Sequence, residues 1–187
     1  HLSIRRQRQM CIRDSFADGA GAVVLGAVDQ SLPGILSTHL HADGAHAEEL
    51  YCIAPSSSGK VRISQEMIDR GDFFLKMNGN AVFKHAVVRF MEVIQEALDS
   101  NGIKKDDIDL LVPHQANLRI SQYIQQKLQL PDEKVFNNIM YLGNTTAGTI
   151  PIALSQAWEQ GRLKSGDLVC LAAFGSGFAW ASALLRW

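Results

Sequence analysis

Cysteine is scarce in this chain of 187 residues: Cys11, Cys52 and Cys170 are the three, and no CxxC occurs. An odd count without paired spacing argues against a disulfide framework and against the usual zinc ligand sets. Free thiols suit a reducing cytoplasm, which is therefore the expected location. Charge of one sign is also lacking, since 18 Lys and Arg against 19 Asp and Glu leave a formal net charge of -1. No overall field draws in nucleic acid or an anionic membrane. No apolar run approaches the roughly 20 residues that a membrane span needs. The longest, 20–28 and 168–174, have the length of buried strands. Neither nucleic acid nor membrane is thus expected as a partner. What remains is the balance of an ordinary globular protein, 47% apolar and 20% charged, in a length able to bury a real core.

Residues 1–15, HLSIRRQRQMCIRDS, hold four arginines and no defensible period. They lack the apolar core of a secretory signal. They read as a disordered or foreign leader, with a native arm on a partner subunit as the alternative. No linker divides residues 16–187, which read as one domain.

Along that domain, DGAGAVVLGAV (18–28) is a small-residue start followed by an apolar run and predicts a buried strand. Pro33-Gly34 marks a turn. In GILSTHLHADG (34–44), Ile35, Ser37, His39 and His41 alternate with Leu36, Thr38, Leu40 and Ala42, which predicts a second strand. PSSSGK (55–60) reads as a loop and 71–79 as irregular. Val82, Phe83, Ala86, Val87, Phe90, Val93, Ile94, Ala97 and Leu98 then recur at helical spacing, with Asn101-Gly102 as the stop. DLLVP (109–113) predicts a short strand. Asn117 is a candidate cap for a helix carrying Ile120, Tyr123, Ile124 and Leu128. Residues 134–136 read as another short strand. GNTTAGTIP (143–151) leads into a helix ending at Gly161. The strand 167–174, the turn Gly175-Ser176-Gly177 and the strand 178–187 make a terminal β-hairpin. Strands alternating with helices give an α/β layered fold.

The residues alone license little chemistry. His114 sits between a strand and a helix, where α/β sheets build sites, yet a lone histidine is most often structural. His39, His41 and His46 cluster near a turn, but Asp43 is the only carboxylate expected to converge with them, so no metal is expected. Asn144 could be an ordinary turn or cap residue. DGAGA and FGSGF match neither GxxxxGK[ST] nor a GxGxxG that opens a helix.

Taken in order, however, DGAGAVVLG, THLHADG, MNGNAVFK, LVPHQANLRI, GNTTAGTIPIAL and AAFGSGFAWASALLRW resemble β-ketoacyl-[acyl carrier protein] synthase III across about residues 18–187. The resemblance implies the C-terminal half of the five-layered α-β-α-β-α thiolase-like fold, a mixed sheet with a terminal hairpin. It implies a decarboxylating condensation of an acyl-coenzyme A primer with malonyl-acyl carrier protein, initiating fatty acid synthesis. No cofactor is implied, since coenzyme A and phosphopantetheine thioesters enter as substrates. His114 and Asn144 would stabilise the enolate oxygen of decarboxylation with Nε2–H and the side-chain amide, and His114 would also help activate the nucleophile. The backbone amide of Ser176, where the family often has glycine, would serve a second oxyanion, with Phe174 packed near the nucleophile. Asn117, Gly79, Asn80 and Phe83 match the pantetheine tunnel. Arg119, Lys84 and Lys127 are candidates for docking the acidic carrier protein.

The nucleophilic cysteine belongs to the other half in such enzymes. None of the three cysteines here fits that role: Cys11 lies in the leader, Cys52 in LYCIAP, and Cys170 in a buried strand. The chain is thus expected to need a partner half, and alone to expose an apolar face and associate; the resemblance implies a homodimer when intact. Alternatives are a non-catalytic partner subunit or acyl-binding remnant, and a coenzyme A-linked condensing enzyme outside fatty acid synthesis.

Overall fold

The computed structural model describes residues 16–27, 29, 34–57 and 59–187. The leader, Cys11, Pro33 of the expected turn and the last residue of the 18–28 run lie outside them.

The scaffold is a four-stranded mixed sheet in the order β1-β6-β5-β4. β1 (Ile35–Ala42) pairs antiparallel with β6 (Ala179–Arg186), β6 antiparallel with β5 (Leu168–Gly175), and β5 parallel with β4 (Leu110–Pro113). A small two-stranded ribbon, β2 (Leu50–Tyr51) and β3 (Lys76–Met77), lies apart from it. The predicted hairpin is thus β5–β6, closed by Gly177 at φ +77°, a backbone region natural to glycine.

The even-numbered residues of β5 point one way. Leu168, Cys170, Ala172 and Phe174 share a core with Ala86, Phe90, Val93, Ile94, Ala97 and Leu98 of helix α2 (Gly79–Asn101) and with Ile120, Ile124 and Leu128 of α3 (Leu118–Leu128). From Ala86 to Leu98 the apolar spacing that predicts α2 is the stripe it buries, while Val82 is half-buried and Phe83 exposed, and Gly102 ends the helix in the left-handed conformation. Asn117 caps α3 as expected, its side chain accepting from the Arg119 N–H at 2.9 Å. On the other face, Leu110, Val112 and Val169 pack against Ala153, Leu154 and Ala157 of α5 (Thr149–Glu159). Helices on both faces of a mixed sheet are the α/β class expected.

Three expectations are corrected. Residues 17–27 form no strand and are exposed, with Val24 at 96% and Leu25 at 75%. An apolar run becomes a strand only beside a partner edge, and among the described residues none lies next to it. Residues 132–134 are a 3₁₀ turn, and the strand expected at 134–136 reduces to one bridge, Leu111 to Val135. Two short helices, α1 (Gln65–Arg70) and α4 (Ile139–Leu142), were not expected. α1 is too short to show a period and buries no residue, although Ser64 caps it and Gly71 ends it.

The expected apolar exposure is present. α5 covers the β4–β5 end of its face, while Leu36 and Leu40 on β1 stand open at 44% and 76%. Among the described residues no helix is long and apolar enough to cross a membrane.

Candidate active site

Because β4 and β5 run parallel, both deliver their carboxyl ends to one side of the sheet, the usual place for a site. Pro113 is in register with Ala172, and the His114 N–H, one residue on, donates to the Ala172 carbonyl at 2.7 Å. Phe174 stands two residues beyond Ala172 on β5, and Ser176 follows in the turn. Strand register therefore sets His114 and the FGSGF turn side by side.

Gln115 holds His114 from behind. Its amide is 2% exposed and fully used. Nε2 donates to the carbonyls of Pro113 at 2.7 Å and Phe136 at 3.3 Å, and Oε1 accepts the N–H groups of Asn138 at 3.0 Å and Ile139 at 3.2 Å. One side chain thus ties the end of β4 to the segment that leads into α4 and on to Asn144.

Asn144 is buried, and its Oδ1 accepts the Thr146 N–H at 2.8 Å. That bond orients the amide, because an N–H requires the oxygen, and leaves Nδ2 as the end that donates elsewhere. Thr146 has φ +53°, strained for a β-branched residue and a kind of outlier that concentrates at functional sites. Its carbonyl accepts the Thr149 hydroxyl at 3.0 Å, and the same hydroxyl oxygen lies 2.6 Å from His114 Nδ1. A single strained residue therefore anchors Asn144 through its N–H and His114, by way of Thr149, through its carbonyl. Nε2 is the imidazole nitrogen left for a ligand.

The glycines of 18–21 find their reason here. The Ala17 N–H donates to the Asn144 carbonyl at 2.9 Å. A Cβ on Gly19 would come within 2.7 Å of the Thr145 side chain, and one on Gly148 within 2.7 Å of the Gly19 carbonyl oxygen. The segment braces the Asn144 loop by backbone approach, which only glycine permits. Gly148→Ala is expected to destabilise the protein by about 1–3 kcal/mol, the usual range for overpacking a tight contact. Chemical denaturation of the variant and wild type checks it.

Burial pushes the His114 imidazole down to about 4. It is neutral at pH 7. Above pH 6.5 neither state binds the proton. As the pH falls from 6.5 towards 4 the unfolded chain takes up a proton that the folded protein refuses, so stability is lost across that window. The loss attributable to His114 is up to about 3 kcal/mol. Denaturant midpoints on both sides of the window, for wild type and His114→Gln, are expected to show an acid loss that the variant lacks.

A half-buried neutral histidine and an oriented asparagine amide are thus tied to one strained loop, and donors so held could stabilise a developing oxyanion. Comparison with known proteins bears on the family and the fold. The family model for the 3-oxoacyl-[acyl-carrier-protein] synthase III C terminal matches residues 98–187. A β-ketoacyl-[acyl-carrier-protein] synthase III of Methylococcus capsulatus is 45% identical over 180 residues, covering 96% of this chain and 53% of that protein. The chain is homologous to the C-terminal half of β-ketoacyl-[acyl-carrier-protein] synthase III. The solved synthase III of Thermus thermophilus is 41% identical with TM-score 0.74, covering 87% of this chain and 49% of that one. That of Pseudomonas aeruginosa is 36% identical with TM-score 0.75, over 86% and 47%. The fold is thiolase-like, and the chain spans about half the length of the curated relatives it matches.

The other candidate residues lie as follows. Phe174 is buried and meets Phe178 edge-on at 4.9 Å. Ser176 is exposed and donates its hydroxyl to the Leu50 carbonyl at 2.8 Å, so this side chain ties the turn to β2. Gly79, Asn80 and Phe83 occupy the first turns of α2 and are exposed. Phe83 reaches across to Tyr123 of α3 at 6.5 Å. Lys84, Arg119 and Lys127 are exposed on the same two helices, with Lys127 over the Tyr123 ring. Asn117 is also exposed.

The histidine trio does not meet Asp43 as one group. His39 and His41 turn to Glu96 of α2, at 3.3 Å and 2.6 Å, and the His41 bond holds the Glu96 carboxyl below the usual range. His46 alone meets Asp43, Nε2 to Oδ2 at 3.9 Å, and packs on His85 and Phe178. Glu96 carries no signal of this role in the sequence, because its partner His41 lies more than fifty positions away. Among the described residues no group of three or more His, Cys, Asp or Glu is arranged to hold a metal ion. Cys170 is wholly buried, which pushes its thiol up to about 12, whereas Cys52 is exposed. Gln115 and Thr149 are likewise silent in the sequence: a glutamine after the key histidine and a threonine opening a helix are ordinary residues until their partners are known.

Proposed function

We propose that the protein is the C-terminal half of a decarboxylating condensing enzyme. It would join an acyl-coenzyme A primer to malonyl-acyl carrier protein and give the β-ketoacyl thioester that starts fatty acid synthesis. A second half would supply the cysteine that carries the acyl group. Loss of carbon dioxide from the malonyl unit leaves an enolate on the thioester oxygen. Two donors aimed at that oxygen, His114 Nε2–H and Asn144 Nδ2, lower the barrier. The observation that carries this reading is the loop 144–149, which fixes both side chains through Thr146.

The Ser176 backbone amide serves the tetrahedral oxyanion of acyl transfer beside Phe174. Asn117, Gly79, Asn80 and Phe83 line the pantetheine path, and Arg119, Lys84 and Lys127 steer the acidic carrier protein. The reaction uses no cofactor, and the intact enzyme works in the cytoplasm as a homodimer. The test is condensation by this chain joined to its native upstream sequence, with acyl-coenzyme A and malonyl-acyl carrier protein as substrates. Turnover supports the reading. A folded protein that binds acyl-coenzyme A or carrier protein without condensing them would make it a binding subunit.

A further inference from the structure

The Thr149 hydroxyl has two neighbours and one proton. Thr146 offers a carbonyl, which only accepts, at 3.0 Å. To bond it, the hydroxyl must donate. In that state the same oxygen has only lone pairs to offer His114 Nδ1 at 2.6 Å, and Nδ1 is the donor. A neutral imidazole has one N–H, and burial keeps this one neutral. The ring's other nitrogen therefore holds a lone pair. That arrangement suits a group that receives a thiol proton. It does not suit an oxyanion donor, which needs the proton on Nε2.

We propose that Thr149 is a positioning residue that holds His114 as the Nδ1–H tautomer, so that Nε2 first meets the substrate as a lone pair and becomes a donor only when the Thr149 hydroxyl turns from Thr146 to Nδ1. In that turn the hydroxyl proton leaves the Thr146 carbonyl for the Nδ1 lone pair. The ring proton is given up at Nδ1 and regained at Nε2 through water, and the net charge is unchanged. Thr149 is 3% exposed and sits at the first position of α5. One hydroxyl thereby serves both tautomers, and with them the donor task that the functional reading above assigns and the activation of the nucleophile that the family resemblance implies. The proposal rests on that reading for its purpose but not for its proton positions.

The experiment is nitrogen NMR of the histidine rings, in the chain joined to its upstream sequence and labelled with ¹⁵N-histidine. The His114 signals are identified by their loss in His114→Gln. Wild type near neutral pH is expected to show a protonated Nδ1 and an unprotonated Nε2. Thr149→Ser keeps that pattern, and Thr149→Val, which removes the hydroxyl at nearly constant shape, loses it. A wild-type Nε2–H pattern overturns the proposal by itself, even if the valine variant fails to fold. So does a folded Thr149→Val with an unchanged spectrum. The expected spectrum in an enzyme that does not condense would leave the tautomer assignment standing and remove the functional reading instead. Full condensation with the opposite spectrum would do the reverse.

Discussion

Replacing Asn144 by alanine, in the chain joined to its native upstream sequence, is expected to lower the condensation rate on the order of 10²–10³-fold, the usual cost of one oxyanion donor. His114→Ala is expected to cost at least as much. The two losses should not multiply. Both side chains hang from Thr146, one by its N–H and one through the Thr149 hydroxyl at its carbonyl, and groups that act as a unit lose most of their effect with the first deletion. The double variant is therefore expected to resemble the worse single one. Steady-state rates for the three variants decide it. An unimpaired Asn144→Ala would remove the asparagine from the oxyanion site.

The second large effect concerns stability. Gln115→Leu keeps the volume of the side chain and removes its amide. Two carbonyls and two N–H groups then lose their partner in an interior where Gln115 is 2% exposed. Each buried unsatisfied group costs about 1–3 kcal/mol before relaxation, so a loss of about 3 kcal/mol or more is expected in denaturant unfolding. Because the same amide sets the path from β4 to α4, the variant is also expected to lose activity in the protein that remains folded. A stability change within about 0.5 kcal/mol, the range of ordinary surface substitutions, would show that Gln115 only fills space.

Much of the frame is legible in the amino-acid sequence. The apolar spacing from Ala86 to Leu98 is the buried stripe of α2, Asn117 caps α3, and the small residues of 175–177 close the hairpin. These features are local, written in neighbouring residues. The failures share the opposite cause. Val23, Val24 and Leu25 spell a strand, but pairing needs a partner edge, and the apolar run says nothing of where that edge is. Lys134, Val135 and Phe136 read as extended because only the main chain reveals the 3₁₀ turn before them. In the site, His114 and Asn144 stand out through a resemblance, and periodicity alone would leave them as a lone histidine and a turn residue. Thr149, Gln115 and Glu96 act through bonds to distant parts of the chain, and no window of sequence contains both ends of such a bond.

The hydrogen bond from Ala17 to the Asn144 carbonyl, with the parallel bridge from Phe16 to Asn144, has a mechanical consequence. The amide proposed to meet the substrate is spliced, one main-chain bond away, to the stretch of polypeptide around residue 16. A displacement transmitted along the backbone into Phe16 arrives at Asn144 with almost no compliant structure between. The alignment of the site is in this sense registered from outside its own loop. Whatever steadies the chain at Phe16 also steadies the amide, and whatever pulls there detunes it.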